Sequence, residues 1–343
     1  MITIYSDRHR LHHGTAELID GVMQPCFEKP QRAEMLLARV REAGLGEVIE
    51  AGPVDLDAVR RVHDPRYVDF LETAWDEWTA QGRTHDALPL VWPVPAVRHD
   101  RIPHHIDGKL GYFSMDAGVP ITAGTWEAVT AGASVALSAA GRVADGAAGA
   151  FALCRPPGHH AGAAMMGGYC YLNNAAIAAQ YLRDRGCAHV AVLDVDYHHG
   201  NGTQSIFYER RDVLFVSLHA DPWDEYPYFL GYADEEGAGA GEGYTLNYPM
   251  PQGTAWGTYG LALADACDKI AAFGPDAVVV SLGVDTYEHD PISRFRLTSE
   301  DYPRLGARIA AISRPTLFVM EGGYAVADLG VNAVNVLSGF EGA

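Results

Sequence analysis

The chain has no Cys-x-x-Cys pair. Its five cysteines, Cys26, Cys154, Cys170, Cys187 and Cys267, are scattered irregularly over 343 residues. An odd, dispersed set argues against a disulfide framework and a thiolate zinc site, and it suits a reducing cytoplasm. Basic residues are also scarce: 25 Lys and Arg stand against 44 Asp and Glu, a formal charge of −19. With no compact basic run, the chain repels phosphate backbones, so no nucleic-acid partner is expected; a cationic small molecule fits better. Long apolar runs are missing too. Residues 129–154 are rich in Ala and Gly but broken by Arg142 and Asp145, which reads as a packed helix and a strand, not a membrane span. The opening MITIYSDRHR becomes charged at once and lacks a signal-peptide core. A soluble cytoplasmic protein with no membrane partner is expected.

What the chain does have is a series of short apolar runs, many β-branched: Ile2–Tyr5, Ala150–Leu153, Val190–Leu193, Val213–Leu218, Ala277–Leu282 and Thr316–Met320. Near-continuous apolar strands imply a sheet covered on both faces. Helical patterns lie between them, at Asn174–Arg185 with Gly186 as a stop signal, at Ala255–Phe273 with Leu261, Ala264, Ala266 and Ile270 on one apolar face, and at Asp301–Ala311. The alternation predicts an α/β fold: one domain spanning 1–343, with a doubly wound, mostly parallel sheet and helices on both faces. Residues 78–120 break the pattern with Pro89, Pro93, Pro95 and Pro103 and several aromatics, and are expected to form an inserted lid or subunit contact. The loop GAGAGEG at Gly237–Gly243 precedes no clear helix start, so it reads as a flexible loop at a pocket rim and not as a phosphate cradle.

Four motifs sit at predicted strand ends, where open α/β sheets bind ligands. In LDVDYHHGNG (Leu193–Gly202), Asp196 and His198 are two apart, so in extended backbone they project to one side. SLGVD (Ser281–Asp285) brings Asp285 to an equivalent place. Two carboxylates and an imidazole suit Zn2+ or another divalent transition metal and leave a coordination position open. RPPGHH (Arg155–His160) holds His159 and His160 in a fixed turn, where one imidazole can serve as base and the other as an electrostatic partner. The pairs at 12–13 and 104–105 lack that setting and read as solvated loop residues. In TLFVMEGGY (Thr316–Tyr324), the glycines let Tyr324 swing outward to donate to an oxyanion.

Together with GGYCYLNNAAIAA and YSDRHRLHHGTAEL, these motifs resemble the histone-deacetylase-like metal amidohydrolases of the arginase–deacetylase superfamily, and among them the bacterial acetylpolyamine amidohydrolases. The likeness runs through nearly the whole chain. It implies zinc on Asp196, His198 and Asp285, with His160 as general base, His159 as its partner and Tyr324 as the oxyanion donor. It further implies Asp194 behind His159 and Asn201 behind His160. Potassium would take oxygens from Asp194, Asp196, His198, Ser217 and Leu218. One zinc per subunit is expected, because Gly200 and Tyr287 stand where a second ion would need carboxylates.

For substrate, the resemblance implies Glu17 near the channel mouth and Tyr169 and Tyr226 flanking a methylene chain. Asp107 and Asp116 in the inserted segment are further acidic candidates. In similar enzymes that segment narrows the entrance through a homodimer contact, here implicating Trp92, His104, Ile106 and Tyr112. The activity implied is deacetylation of acetylputrescine, acetylcadaverine or acetylspermidine. Deacetylation of acyl-lysine in proteins is the alternative, and a silent polyamine-binding sensor is an alternative of another class.

Overall fold

A computed structural model describes residues 1–19 and 21–343. Among the described residues ten strands run in chain order: β1 (Ile2–Tyr5), β2 (Glu17–Ile19), β3 (Val22–Gln24), β4 (Val48–Glu50), β5 (Gly149–Ala152), β6 (Val190–Asp194), β7 (Val213–Ala220), β8 (Thr245–Met250), β9 (Ala277–Leu282) and β10 (Thr316–Met320). Eight form one sheet in the order β4-β1-β5-β10-β9-β6-β7-β8, and every pairing in it is parallel. β2 and β3 form a separate antiparallel hairpin.

The strand sequences explain why both faces are covered. Side chains alternate across a strand, and the buried residues divide accordingly into two cores. Ala150, Val190, Val192, Val279 and Leu317 join one core, beneath the helices Pro65–Thr79, Thr125–Ala144 and Asn174–Asp184. Phe151, Ala191, Leu193, Val280 and Phe318 join the other, beneath Gln31–Ala43, Trp256–Phe273, Tyr302–Ala310 and Val326–Glu341. This is the expected α/β architecture, doubly wound around a parallel sheet. Among the described residues, no helix is long and apolar enough to cross a membrane.

Several expectations need correction. In the helix Trp256–Phe273, Leu261 is 75% exposed; the inward face is Tyr259, Leu263, Ala266, Cys267 and Ile270, which the i, i+3, i+4 spacing favours over Leu261. His12 is buried and its Nδ1 lies 3.0 Å from Thr125 Oγ1, so this histidine is a core residue and not a solvated one. The Gly237–Gly243 loop is seated against Tyr208, whose carbonyl accepts from Ala238 N at 2.9 Å. None of its residues lines the pocket described below.

Within the inserted segment, residues 106–112 form a two-turn helix (Ile106–Tyr112) started by His105, whose ring accepts from Asp107 N at 3.2 Å. Ile106 is buried in the chain's own core, which removes it from any subunit contact. Gly111 lies directly under the Val91 carbonyl, where a Cβ would collide. The stretch above it leaves Leu90, Val91, Val94 and Val97 exposed.

Candidate active site

The four central strands are β5, β10, β9 and β6. Their carboxyl ends release the four motifs to one side of the sheet: RPPGHH after β5, EGGY after β10, GVD after β9 and VDYHHGNG after β6. Parallel pairing puts all four exits at one edge, so residues as distant in sequence as His159 and Tyr324 share one crevice.

Backbone amides hold the acidic side chains in place. Asp196 Oδ2 accepts from Gly322 N at 2.8 Å, and Asp285 Oδ1 accepts from Tyr197 N at 2.8 Å. His198 Nδ1 lies 3.1 Å from Asp285 Oδ2 and 3.3 Å from Asp196 Oδ1. One ligand atom from each of Asp196, His198 and Asp285 falls within 4.8 Å of the others. All three residues are buried. Burial and the neighbouring Asp196 carboxylate push Asp285 up to about 7, the response of two carboxylates crowded together out of water. Gly283 and Gly322 close round the cluster, and a Cβ at either would collide with the Asp196 carboxylate. Two oxygen donors and an imidazole nitrogen, kept close in a cradle only glycine leaves open, fit a divalent metal.

The two histidines face different acceptors. His159 Nδ1 lies 3.0 Å from Asp194 Oδ2, and His160 Nδ1 lies 2.7 Å from Asn201 Oδ1. Each acceptor draws a proton to Nδ1. Burial disfavours a charge on His159, but the Asp196 and Asp194 carboxylates outweigh it and hold this imidazole at about 10. His160 is driven well below its usual value by burial and then by His159 and His198. The pair therefore separates into a cation and a neutral base. The rings sit 4.0 Å apart.

Tyr324 is 7% exposed and packs edge-on to Tyr169 at 5.5 Å. Burial pushes its phenol well above the usual range, which keeps it a proton donor. A pocket of about 480 Å³ opens over Tyr324, His160 and His198, and Tyr169, Tyr226, Tyr228 and Trp92 contribute its aromatic lining. Tyr226 stands at 90° to His160, with centroids 4.9 Å apart. Tyr169 adopts a left-handed backbone at φ 67°, strain of the kind that collects at functional sites.

The acidic candidates divide. Glu17, on β2, lines the pocket, and its Oε1 accepts from Phe27 N at 2.6 Å. Burial raises its pKa. Asp116 also lines the pocket, but Oδ2 is occupied by Tyr226 Oη at 2.6 Å and Gly168 N at 2.9 Å. Asp107 is not in the pocket lining. It is bound in a two-pronged ion pair with Arg83, so its assignment to substrate is withdrawn. Glu225, which sequence reasoning passed over, lines the pocket beside Tyr226.

Ser217 sits opposite Asp194 in register, although its hydroxyl is 2.8 Å from His219 Nδ1. Leu218 is fully buried beside it.

Other supporting residues, two of them inside the motifs, had no role legible from sequence. Glu321 Oε2 accepts from Gly158 N at 2.6 Å and His159 N at 3.1 Å. Arg155 and Glu28 form a buried two-bond pair, each bond 2.8 Å. Arg32 donates to the carbonyls of Glu321 and Gly323 at 2.5 and 2.7 Å. The one available signal was the i, i+4 spacing of Glu28 and Arg32.

The model of the histone deacetylase domain matches residues 26–340. The chain belongs to that family. Within it, the chain is similar to acetylpolyamine amidohydrolase 2 of Pseudomonas aeruginosa, 60% identical over 342 residues and covering 100% of this chain and 99% of that one. Acetylpolyamine amidohydrolase of Mycoplana ramosa is 52% identical over 342 residues, covering 100% of both. The crystal structure of acetylpolyamine aminohydrolase from Burkholderia pseudomallei superposes with a TM-score of 0.95 at 42% identity, covering 99% of this chain and 98% of that one. The histone deacetylase family thus accounts for the four strand-end motifs and for the sheet that gathers them.

Proposed function

We propose that the protein hydrolyses the acetyl amide of acetylated polyamines and diamines, releasing acetate and the free amine. The observation that carries this reading is His160, held through Nδ1 by Asn201, beside the Asp196–His198–Asp285 cluster at the floor of an aromatic pocket with acidic side chains in its wall. The similar acetylpolyamine amidohydrolases of Pseudomonas aeruginosa and Mycoplana ramosa support the same substrate class by name.

Zinc, one ion per subunit held by Asp196, His198 and Asp285, would polarise the acyl oxygen and acidify water. His160 takes a proton from the attacking water at the ring nitrogen not engaged by Asn201. Tyr324 donates its phenol proton in a hydrogen bond to the oxygen that becomes negative as the carbonyl carbon turns tetrahedral. His159, kept cationic against Asp194, stabilises that charge from behind. The proton on His160 then passes to the departing amine nitrogen, which leaves as the carbon–nitrogen bond breaks. Tyr169 and Tyr226 flank the methylene chain and offer ring faces to a cationic tail; Glu17 and Glu225 in the pocket wall favour that charge directly, and Asp116 does so from behind Tyr226.

Potassium at Asp194, Asp196, His198, Ser217 and Leu218 belongs to the same proposal. So does a homodimer through the inserted segment, supported by the exposed row Leu90, Val91, Val94 and Val97. Trp92 is half-buried against Ser114 and faces the pocket, so its part is to shape the mouth. A cytoplasmic setting is supported by five free cysteines.

The test is a set of initial rates on acetylputrescine, acetylcadaverine, acetylspermidine and an acetyl-lysine peptide, with zinc-loaded enzyme at one pH. A large preference for the small amines is expected. Equal or faster turnover of the peptide makes the enzyme a protein deacetylase, and binding without turnover makes it a sensor.

A further inference from the structure

The loop after β9 carries a carboxylate that reaches across to the loop after β10. Asp290 is 6% exposed. Its Oδ2 accepts from Tyr324 N at 2.7 Å and from Ala325 N at 3.3 Å, and its Oδ1 accepts from Ile292 N at 3.1 Å. The sequence gives the helix Val326–Glu341 no capping side chain of its own, since Ala325 stands at the cap. Asp290 supplies the missing acceptor from 35 residues away, at a helix end where unpaired N–H groups and the dipole both favour an anion.

Only one amide in this arrangement belongs to a residue of the reaction. A hydrogen bond to the Tyr324 main chain fixes where its Cα begins, and a phenol some 6 Å further out magnifies any tilt at that point. From the opposite side of the same turn, Arg32 holds the carbonyls of Glu321 and Gly323. The Glu-Gly-Gly-Tyr turn contains two glycines, of which Gly323 has φ 126°, so it has little stiffness of its own. Its amide side is held by Asp290.

We infer that Asp290 is a positioning residue for the oxyanion donor: its carboxylate, hydrogen-bonded to the backbone of Tyr324, sets the phenol over the acyl oxygen. This rests on the assignment of Tyr324 given above. Asp290 does not line the pocket, so it acts through Tyr324 and not on substrate.

The experiment compares wild type, Asp290→Ala, Asp290→Ser, Tyr324→Phe and the double variants, measuring kcat, KM, bound zinc and Tm. A serine hydroxyl can still serve the Ile292 N–H two residues on, as short polar side chains do in turns, but is too short to reach Tyr324. It therefore keeps the comparison available should the alanine variant not accumulate as folded protein. The expected result is a kcat lower by about 10- to 100-fold with KM within about twofold, zinc content unchanged, and no further loss when either change is added to Tyr324→Phe. A lowered Tm with unchanged kcat would mean a helix cap only and overturns the inference, as does an equal loss of rate in the wild-type and Tyr324→Phe backgrounds. If Tyr324→Phe itself retains full turnover, the assignment of Tyr324 fails, and that failure is separate from this one.

Discussion

Glu321 Oε2 accepts the backbone N–H of His159 at 3.1 Å, tying the end of β10 to the turn after β5, and it also holds Gly158 N. Replacing Glu321 with Ala leaves two buried N–H groups without acceptors, at roughly 1–3 kcal/mol each. The expected outcome is a clear fall in Tm together with a fall in kcat, because the histidine turn loses its anchor. Thermal unfolding and steady-state rates on one preparation check both. Full activity at normal Tm would show that the turn holds its shape without Glu321.

Tyr324→Phe removes the proposed oxyanion donor while leaving the ring. A loss of about 10²- to 10³-fold in kcat is expected, with zinc content by elemental analysis unchanged. Wild-type turnover in this variant would require another donor.

The pocket carboxylates should differ by position. Asp107→Ala is expected to leave KM for acetylputrescine unchanged, since this side chain is engaged with Arg83. Glu225→Gln should raise KM about five- to tenfold for substrates with a distal ammonium, the scale of ~1 kcal/mol for a partly screened charge contact. N-butylacetamide, which lacks that ammonium, should show no such change. Matched KM series on the two variants test the division.

Acid should destabilise the fold before it protonates exposed carboxylates. Burial lowers His12, His63 and His219 to about 4 from an ordinary 6.5. His63 shows the reason locally, for its Nε2 accepts from Asn173 N at 2.9 Å and must stay free of a proton. The unfolded chain takes up protons below pH 6.5 while the folded one resists until about 4. The stability these three histidines contribute is therefore full above 6.5 and is lost as pH drops towards 4, by ~1.4 kcal/mol per pH unit for each. Urea unfolding at pH 7.5 and 5.0 should show the decline, and His63→Gln, which keeps an acceptor without titrating, should reduce it. A pH-independent midpoint would contradict the account.

The central strands and their exits were readable because two-sided burial writes itself as unbroken apolar runs, mostly followed by Gly, Asp or His within a few residues. The edges were not. β4 and β8 are covered less completely, and their segments VIE and TLNYPM carry polar residues and a proline, so they lack that signal. Asp107 and Asp116 look alike in sequence; what separates them is Arg83, 24 residues before Asp107. Asp290 and Glu321 were missed for a related reason. Each acts on backbone amides supplied by a distant loop, and no spacing rule within a motif records such a contact.

Gly111 offers a different kind of handle on the protein. It carries no functional group and lies outside the pocket lining, yet the Val91 carbonyl rests on it, and the next residue, Trp92, lines the pocket. A single methyl added there would act as a shim, lifting the strap that bears the indole and the exposed valines while leaving every polar group at the pocket floor untouched. The strap over the pocket can thus be reached through a residue that has no part in the chemistry.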